Sequence, residues 1–251
     1  MRQRLLSMEN VDKAFGGGVV ALKSMSLEVR DGDFISLLGP SGCGKSTALR
    51  LIAGLSDPSA GRIRWESGDR GDIGVVFQEP TLMPWATVRD NVFLPFRLQG
   101  KSWHSSQAEV REALHLVGLD KFETAYPREL SGGMKMRVSI ARAMVTRPKL
   151  ILMDEPFAAL DEITRHKLNN DLLELKAKIG CTVIFVTHSV WESVFLSDRI
   201  VVMAARPGRV IREVAVDEPY PRGEAFRTSA EYAAHCREAS EALHEAMGEA
   251  A

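Results

Sequence analysis

Short, mostly apolar runs alternate with stretches of helical periodicity along most of this chain. Residues 34–38, 73–77, 150–153 and 182–186 read as largely apolar strands, and 150–153, fully apolar, as one buried on both faces in a parallel sheet flanked by helices. Helical patterns follow them over residues 48–53, 162–179 and 191–196, and residues 199–203 and 209–211 close the series as strands. This alternation predicts a doubly wound α/β core. Upstream, residues 5–11, 19–22 and 25–29 read as strands, separated by turns at Gly16-Gly17-Gly18 and Asp31-Gly32-Asp33. They predict an antiparallel β edge ahead of the core. After the first core helix, residues 57–61 form a turn, 62–65 a strand and 68–72 another turn.

From residue 79 the pattern changes. Pro80, Pro84 and Pro95 break up the beginning; then Val110, Leu114 and Val117 recur at helical spacing behind a cap at Ser105 or Ser106, and Gly118 closes the helix. A further helix is expected over residues 135–145, stopped by Pro148. The domain plan is therefore a core of residues 1–78 and 150–215, a helical insertion at 79–149, and a tail at 216–251, helical from about 228 to 249. No internal repeat or low-complexity tract interrupts it.

Composition narrows the possibilities. With 251 residues, 45% hydrophobic and 26% charged, the chain can bury a sizeable core. A net charge of -1 lacks the electrostatic footprint of a nucleic-acid binder, so no nucleic-acid partner is expected. Cys43, Cys181 and Cys236 have neither disulfide-like nor zinc-like spacing and fit a reducing compartment. No run approaches the roughly 20 apolar residues of a membrane span, and Met1-Arg2-Gln3-Arg4 leads into no signal-type segment.

The candidate chemistry gathers at the ends of the apolar strands, where open α/β sheets bind their ligands. After residues 34–38 comes Gly39-Pro40-Ser41-Gly42-Cys43-Gly44-Lys45-Ser46-Thr47, the G-x-x-x-x-G-K-[ST] phosphate loop, followed by a helix. Its glycines let successive N–H groups converge on an anion, and the helix dipole adds positive potential. Lys45 supplies a mobile cation and Ser46 a hydroxyl for Mg2+. Gly16 to Gly18 lack a following Lys-Ser and read as a hairpin turn. Gln78, Asp154-Glu155 and His188 each follow an apolar strand. Asp154 stands where nucleotide enzymes hold Mg2+ through water, and Glu155 can orient or deprotonate an attacking water. His188 suits a hydrogen bond to the γ-phosphate or to that water. Phe15 fits either a ring stacked on a purine or a strand residue packed on the core.

Together these residues resemble the nucleotide-binding subunit of an ABC transporter, over residues 4 to about 215. The most specific mark is the signature Leu130-Ser131-Gly132-Gly133 ahead of a Walker B strand ending at Asp154. The resemblance implies a P-loop NTPase (RecA-like) core with ATP and Mg2+. Phe15 would lie on adenine, Gly39 to Thr47 on the phosphates, and Ser46, Gln78 and Asp154 on the cation. Lys45, Gln78, Glu155 and His188 would form the catalytic set, with a D-loop at Ala158-Ala159-Leu160-Asp161. Residues 77–85 and 130–134 are similar to the nitrate/sulfonate/taurine importer branch.

The same resemblance implies a head-to-tail homodimer in which ATP on one copy is covered by Ser131 to Gly133 of the other. It also implies a peripheral place on the cytoplasmic face of the membrane, permease subunits contacted by residues around 79–97, and a solute-binding protein reached only indirectly. The signature loop's own sequence agrees, since a second glycine loop opening a helix offers a second anion site. Leu82, Met83, Pro84 and Trp85 suit either docking of a partner helix or packing on the insertion's own helices. Three positions depart from the family pattern: Met134 replaces a usual Gln, Ala158 a common Ser, and the stretch between Trp65 and Ile73 is short. A non-transport ABC ATPase of DNA repair or translation would carry a long coiled-coil insertion or two cassettes, and the sequence has neither. An exporter's separate ATPase subunit would differ only in its membrane partner.

Overall fold

The computed structural model describes residues 2–68 and 70–248. Met1, Asp69 and residues 249–251 lie outside the described residues, and with them one position of the expected 68–72 turn and the end of the expected tail helix. In chain order the elements begin with β1 (Arg4–Ala14), β2 (Val20–Arg30), β3 (Phe34–Leu38), α1 (Lys45–Ile52), β4 (Ala60–Trp65) and β5 (Ile73–Val76). They continue with α2 (Val88–Leu98), α3 (Trp103–Leu116), α4 (Gly132–Met144), β6 (Leu150–Asp154) and α5 (Glu162–Ile179). The last are β7 (Thr182–Thr187), α6 (Val190–Leu196), β8 (Arg199–Ala204), β9 (Arg209–Ala215), α7 (Glu224–Arg227) and α8 (Ala230–Gly248).

Two compact units result. The first combines the chain up to Gly71 with the chain from Thr182 onward, and the second runs from Asp72 to Cys181. In the first unit, β1 pairs antiparallel with β2 on one side and β4 on the other. A second group of strands has β3 between β7 and β8, parallel to both, with β9 antiparallel to β8. All five residues of β3 are buried. That explains why four of its five side chains are apolar, each gaining about 1.5–3 kcal/mol on burial, while buried Ser36 shares a hydrogen bond with Ser197. Helices α1, α6 and α8 pack on these strands.

The expected strands 19–22 and 25–29 form one strand, β2. Continuity survives because Asp12 holds a bulge: its carboxylate accepts from the Ser24 N–H and the Lys23 ammonium, each at 2.6 Å. Ser24 itself adopts φ 47.

In the second unit, β5 and β6 run parallel, and α2, α3 and α4 pack on one another. Gly74 lets α4 approach β5, since a side chain there would meet the Ala143 carbonyl. Two local expectations are corrected here. The cap of α3 is Ser102, which accepts the Ser105 N–H at 3.2 Å, while the Ser105 hydroxyl donates to the Ser102 carbonyl. Pro95 lies inside α2 and does not break it. The anchor that keeps α2 in place is Asn91. Fully buried, its side-chain amide donates to the carbonyls of Met83, Ala86 and Thr87 at 3.0–3.2 Å and its oxygen accepts the Met83 N–H at 2.8 Å. This buried amide fastens the loop before α2 to the helix. Asn91→Ala leaves the Met83 N–H and the Ala86 carbonyl without this partner, since the Met83 and Thr87 carbonyls still accept the Ala86 and Asn91 N–H groups, and is expected to lower unfolding free energy by about 3 kcal/mol. A urea midpoint unchanged from wild type would contradict that role.

Candidate functional site

The turn from β3 into α1 is built from backbone. Gly44, the N-cap of α1, has φ 90, and a side chain there would sit 2.8 Å from the Ala21 carbonyl oxygen and 2.6 Å from Leu22 Cδ2. A side chain on Gly39 would sit 2.6 Å from the Met203 carbonyl oxygen and 2.7 Å from Cys43 Sγ. Glycine is therefore required at both ends of the loop by close approach, and at Gly44 by its left-handed backbone as well. Lys45 is only 4% exposed, and its ammonium donates to the carbonyls of Gly39 at 2.7 Å and Pro40 at 3.0 Å. A buried cation thus lies curled inside a loop whose N–H groups and helix dipole are also positive. Such a loop binds an oxyanion of high charge.

Cys43 is fully buried within the loop, and burial pushes its thiol above the usual range, with the nearby Lys45 acting in the opposite direction. The group stays a thiol at neutral pH.

Elsewhere in the first unit, His188 is exposed in the turn between β7 and α6. That turn is tied down on both sides of the histidine. Thr187 donates its hydroxyl to the Glu192 carboxylate at 2.6 Å and accepts the Ser189 N–H at 3.0 Å. Ser189 caps α6, accepting the Glu192 N–H at 3.3 Å. Phe15 is 46% exposed, with the Lys13 ammonium 5.2 Å from its ring centre, which sets aside the core-packing alternative for this ring.

The second unit carries the remaining candidates. Gln78 is exposed beyond β5, while Asp154 ends β6 and Glu155 follows it, both half-buried. Glu155 holds φ 46, a left-handed conformation that costs a non-glycine residue on the order of 1–3 kcal/mol and is found disproportionately at functional sites. The signature stretch opens α4 earlier than the pattern suggested. The helix begins at Gly132, because Ser131 caps it by accepting the Met134 N–H at 3.3 Å. A side chain on Gly133 would press on Thr164 Cγ2 at 2.8 Å, so the start of α4 lies tightly against α5. Asp161, in the expected D-loop, caps α5 by accepting the Thr164 N–H at 2.9 Å.

Positioning groups escaped the sequence reading. Arg142 donates to the carbonyls of Pro80 and Thr81 at 2.8 and 2.9 Å and to the Thr81 hydroxyl at 2.9 Å, pinning the loop after Gln78. Thr187 and Glu192 do the same for the His188 turn. For Glu192 the available signal was a Glu three residues behind a Ser cap, and for Arg142 the sequence offered none. In the loop itself Trp85 is 76% exposed, so this ring does not pack on the insertion's helices.

An all-buried strand entering a glycine loop that holds a lysine at a helix N-terminus defines a P-loop NTPase. Comparison with known proteins makes this specific. The family profile described as "ABC transporter" matches residues 22–158, over half of the chain. An uncharacterized ABC transporter ATP-binding protein of Methanocaldococcus jannaschii, MJ0412, is 48% identical over 234 residues, covering 90% of this chain and 86% of that protein. The nitrate import ATP-binding protein NrtD of Synechocystis is 43% identical over 223 residues, covering 86% and 84%. Among solved structures, the dimeric post-hydrolysis ATP-binding cassette MJ0796 bound to ADP and Pi superposes with a TM-score of 0.74 at 33% identity, covering 86% of this chain and 100% of that one. The chain belongs to the ABC transporter family, as an ATP-binding subunit with ATPase chemistry.

Burial at the site generates a direct check. Cys43, Cys181 and Cys236 are all buried, and burial raises the latter two to about 11. Since the thiolate is the reactive form, none of the three should react with a disulfide reagent at pH 7.5 in native protein, and all should react in denaturant. Stoichiometric labelling of native Cys43 would contradict the closed loop.

Proposed function

We propose that the chain is the ATPase subunit of an importer for a small anion, working as a homodimer on the cytoplasmic face of a membrane. The observation that carries this reading is Lys45, buried inside a glycine loop at the start of α1. ATP lies with its phosphates on Gly39 to Thr47, including Pro40, Ser41, Gly42, Cys43 and Gly44, and its adenine on Phe15. Lys45 exchanges the Gly39 and Pro40 carbonyls for the outer phosphate oxygens.

Ser46, Gln78 and Asp154 offer hard oxygen donors of the kind Mg2+ takes. Among the described residues no cluster of three or more His, Cys, Asp or Glu side chains is placed to hold a metal. That suits a cation arriving with the nucleotide, with few protein ligands. When bound, it neutralises charge building on the phosphates. Glu155, held in a strained conformation beside Asp154, accepts a proton from the attacking water, and His188 hydrogen-bonds the γ-phosphate or that water. Gln78 reports the nucleotide state to the following loop.

Ser131, Gly132 and Gly133 of a second copy cover the nucleotide. The Ser131 hydroxyl accepts the Met134 N–H, which leaves its own proton to donate to a phosphate. The insertion, residues 79–149, carries closure of the pair to separate permease subunits, and the exposed Trp85 with residues around 79–97 is the contact. Among the described residues no helix is long and apolar enough to cross a membrane. The solute-binding protein acts through the permease, and no nucleic acid is involved. A nitrate-like anion is the solute class, supported by the similarity to NrtD along most of both chains.

Steady-state ATP hydrolysis by the purified protein tests the residue roles. Lys45→Ala should abolish it by weakening nucleotide binding. Glu155→Gln should lower kcat about 100-fold or more with ATP still bound. Full turnover in Glu155→Gln would remove that residue from its assigned role.

A further inference from the structure

Helix α6, which begins two residues after His188, is gripped along its whole length by the C-terminal tail. It has seven residues, far below the length at which a helix is stable by itself, so its position is set by what it packs against. Its last carbonyls need partners from outside. Arg222, 5% exposed, donates to the carbonyls of Val194 at 3.1 Å, Phe195 at 3.2 Å and Ser197 at 2.8 Å. Tyr220 donates its hydroxyl to the Leu196 carbonyl at 2.7 Å. The Arg222 guanidinium is itself fastened to the tail through the carbonyls of Val216 and Glu218 at 3.1 and 2.7 Å. It therefore serves as the C-terminal cap of a helix from another part of the chain.

The grip extends to the other end. Tyr232, on α8, donates its hydroxyl to the Trp191 carbonyl at 2.9 Å, and the two rings lie 5.9 Å apart. The Arg227 side chain, 8% exposed, places its guanidinium 3.4 Å from the Phe195 ring centre, with its Nε 4.0 Å from the Glu224 carboxylate. Glu192 is the residue that accepts the Thr187 hydroxyl and donates its N–H to Ser189, the two neighbours of His188. The tail thus holds both ends of α6, and at the start of that helix Glu192 and Ser189 are hydrogen-bonded to Thr187 and to each other around His188. Every member lies in the first unit.

We propose that tail residues 216–232 are a positioning element of the hydrolytic site: they hold α6 by its C-terminal carbonyls, by the Trp191 carbonyl and by the Phe195 ring, and so fix where His188 stands. This rests on the reading of His188 as a residue of that site. The tail touches neither nucleotide nor water in this account; Arg227 and Arg222 are positioning residues. The consequence is a site whose turnover depends on a segment outside the ATP-binding core, so that a ligand or subunit able to loosen the tail would slow hydrolysis without competing for ATP.

The test uses the purified full-length protein with Arg227→Met, Arg227→Lys and, as a control, Arg212→Ala, which breaks the 2.5 Å ion pair of Arg212 with Glu245 on α8 remote from α6. Arg227→Met should lower kcat about tenfold, the scale of a displaced catalytic group, with KM for ATP unchanged. Arg227→Lys should recover most of the loss, and Arg212→Ala should show none at a comparable melting temperature. Amide hydrogen exchange at residues 187–192 should speed up in Arg227→Met and stay at the wild-type rate in Arg212→Ala. Introduced on top of His188→Ala, Arg227→Met should have no further effect on kcat. Equal loss in both backgrounds, or unchanged exchange at 187–192, would overturn the positioning role. Wild-type kcat in His188→Ala alone would instead overturn the reading of His188, a distinct result.

Discussion

Backbone-against-backbone packing under the phosphate loop is the constraint on which the first unit depends. Gly44 lies so close to the Ala21 carbonyl that no side chain fits, and Gly39 has the same relation to Met203. The Ala21 carbonyl in turn accepts the Gly208 N–H at 3.0 Å, and the Gly208 carbonyl accepts the Lys23 N–H at 2.9 Å. The loop is therefore seated on β2 and on the connection between β8 and β9 through main-chain contacts that permit little give. An anion site made from N–H groups needs them aimed before the ligand arrives, because reorienting dipoles during binding would consume the electrostatic gain. The glycines supply that rigidity by admitting close approach more than by their flexibility.

The second unit applies the same device with different residues. Ser131 caps α4 while Gly133 brings its first turn against Thr164, so N–H groups at a helix start are again held by tight packing. Glu155 at φ 46 keeps a carboxylate in a conformation that the surroundings must enforce. Arg142, buried enough that desolvation lowers its pKa, spends its donors on the loop after Gln78. The residues proposed to do chemistry are accordingly few, and each is held in position by less conspicuous neighbours.

Those neighbours mark the boundary of what the sequence discloses. The core strands were legible because burial on both faces leaves a largely apolar run, unbroken over the first four residues of β6. The phosphate loop was legible because its requirements are local: glycine where backbone approaches, Lys and Ser at the helix start. Features set by partners distant in sequence were not. The merging of two strands into β2 depends on Asp12 reaching Ser24. The helix through Pro95 is fixed by Asn91 reaching back to Met83, and the earlier start of α4 by a cap that spacing alone assigned to a loop. The tail's hold on α6, through Arg222 and Tyr232, has no periodic signature at all.

In the proposed dimer the site around Lys45 is half of a nucleotide site, completed by Ser131 to Gly133 of a second copy. Measuring the mass of the Glu155→Gln protein by light scattering, with and without ATP and Mg2+, tests it most directly. The expected result is a monomer without nucleotide and a dimer with it, and a dimer lost again when Ser131→Arg is added. A protein that binds ATP and remains monomeric at saturation would contradict it.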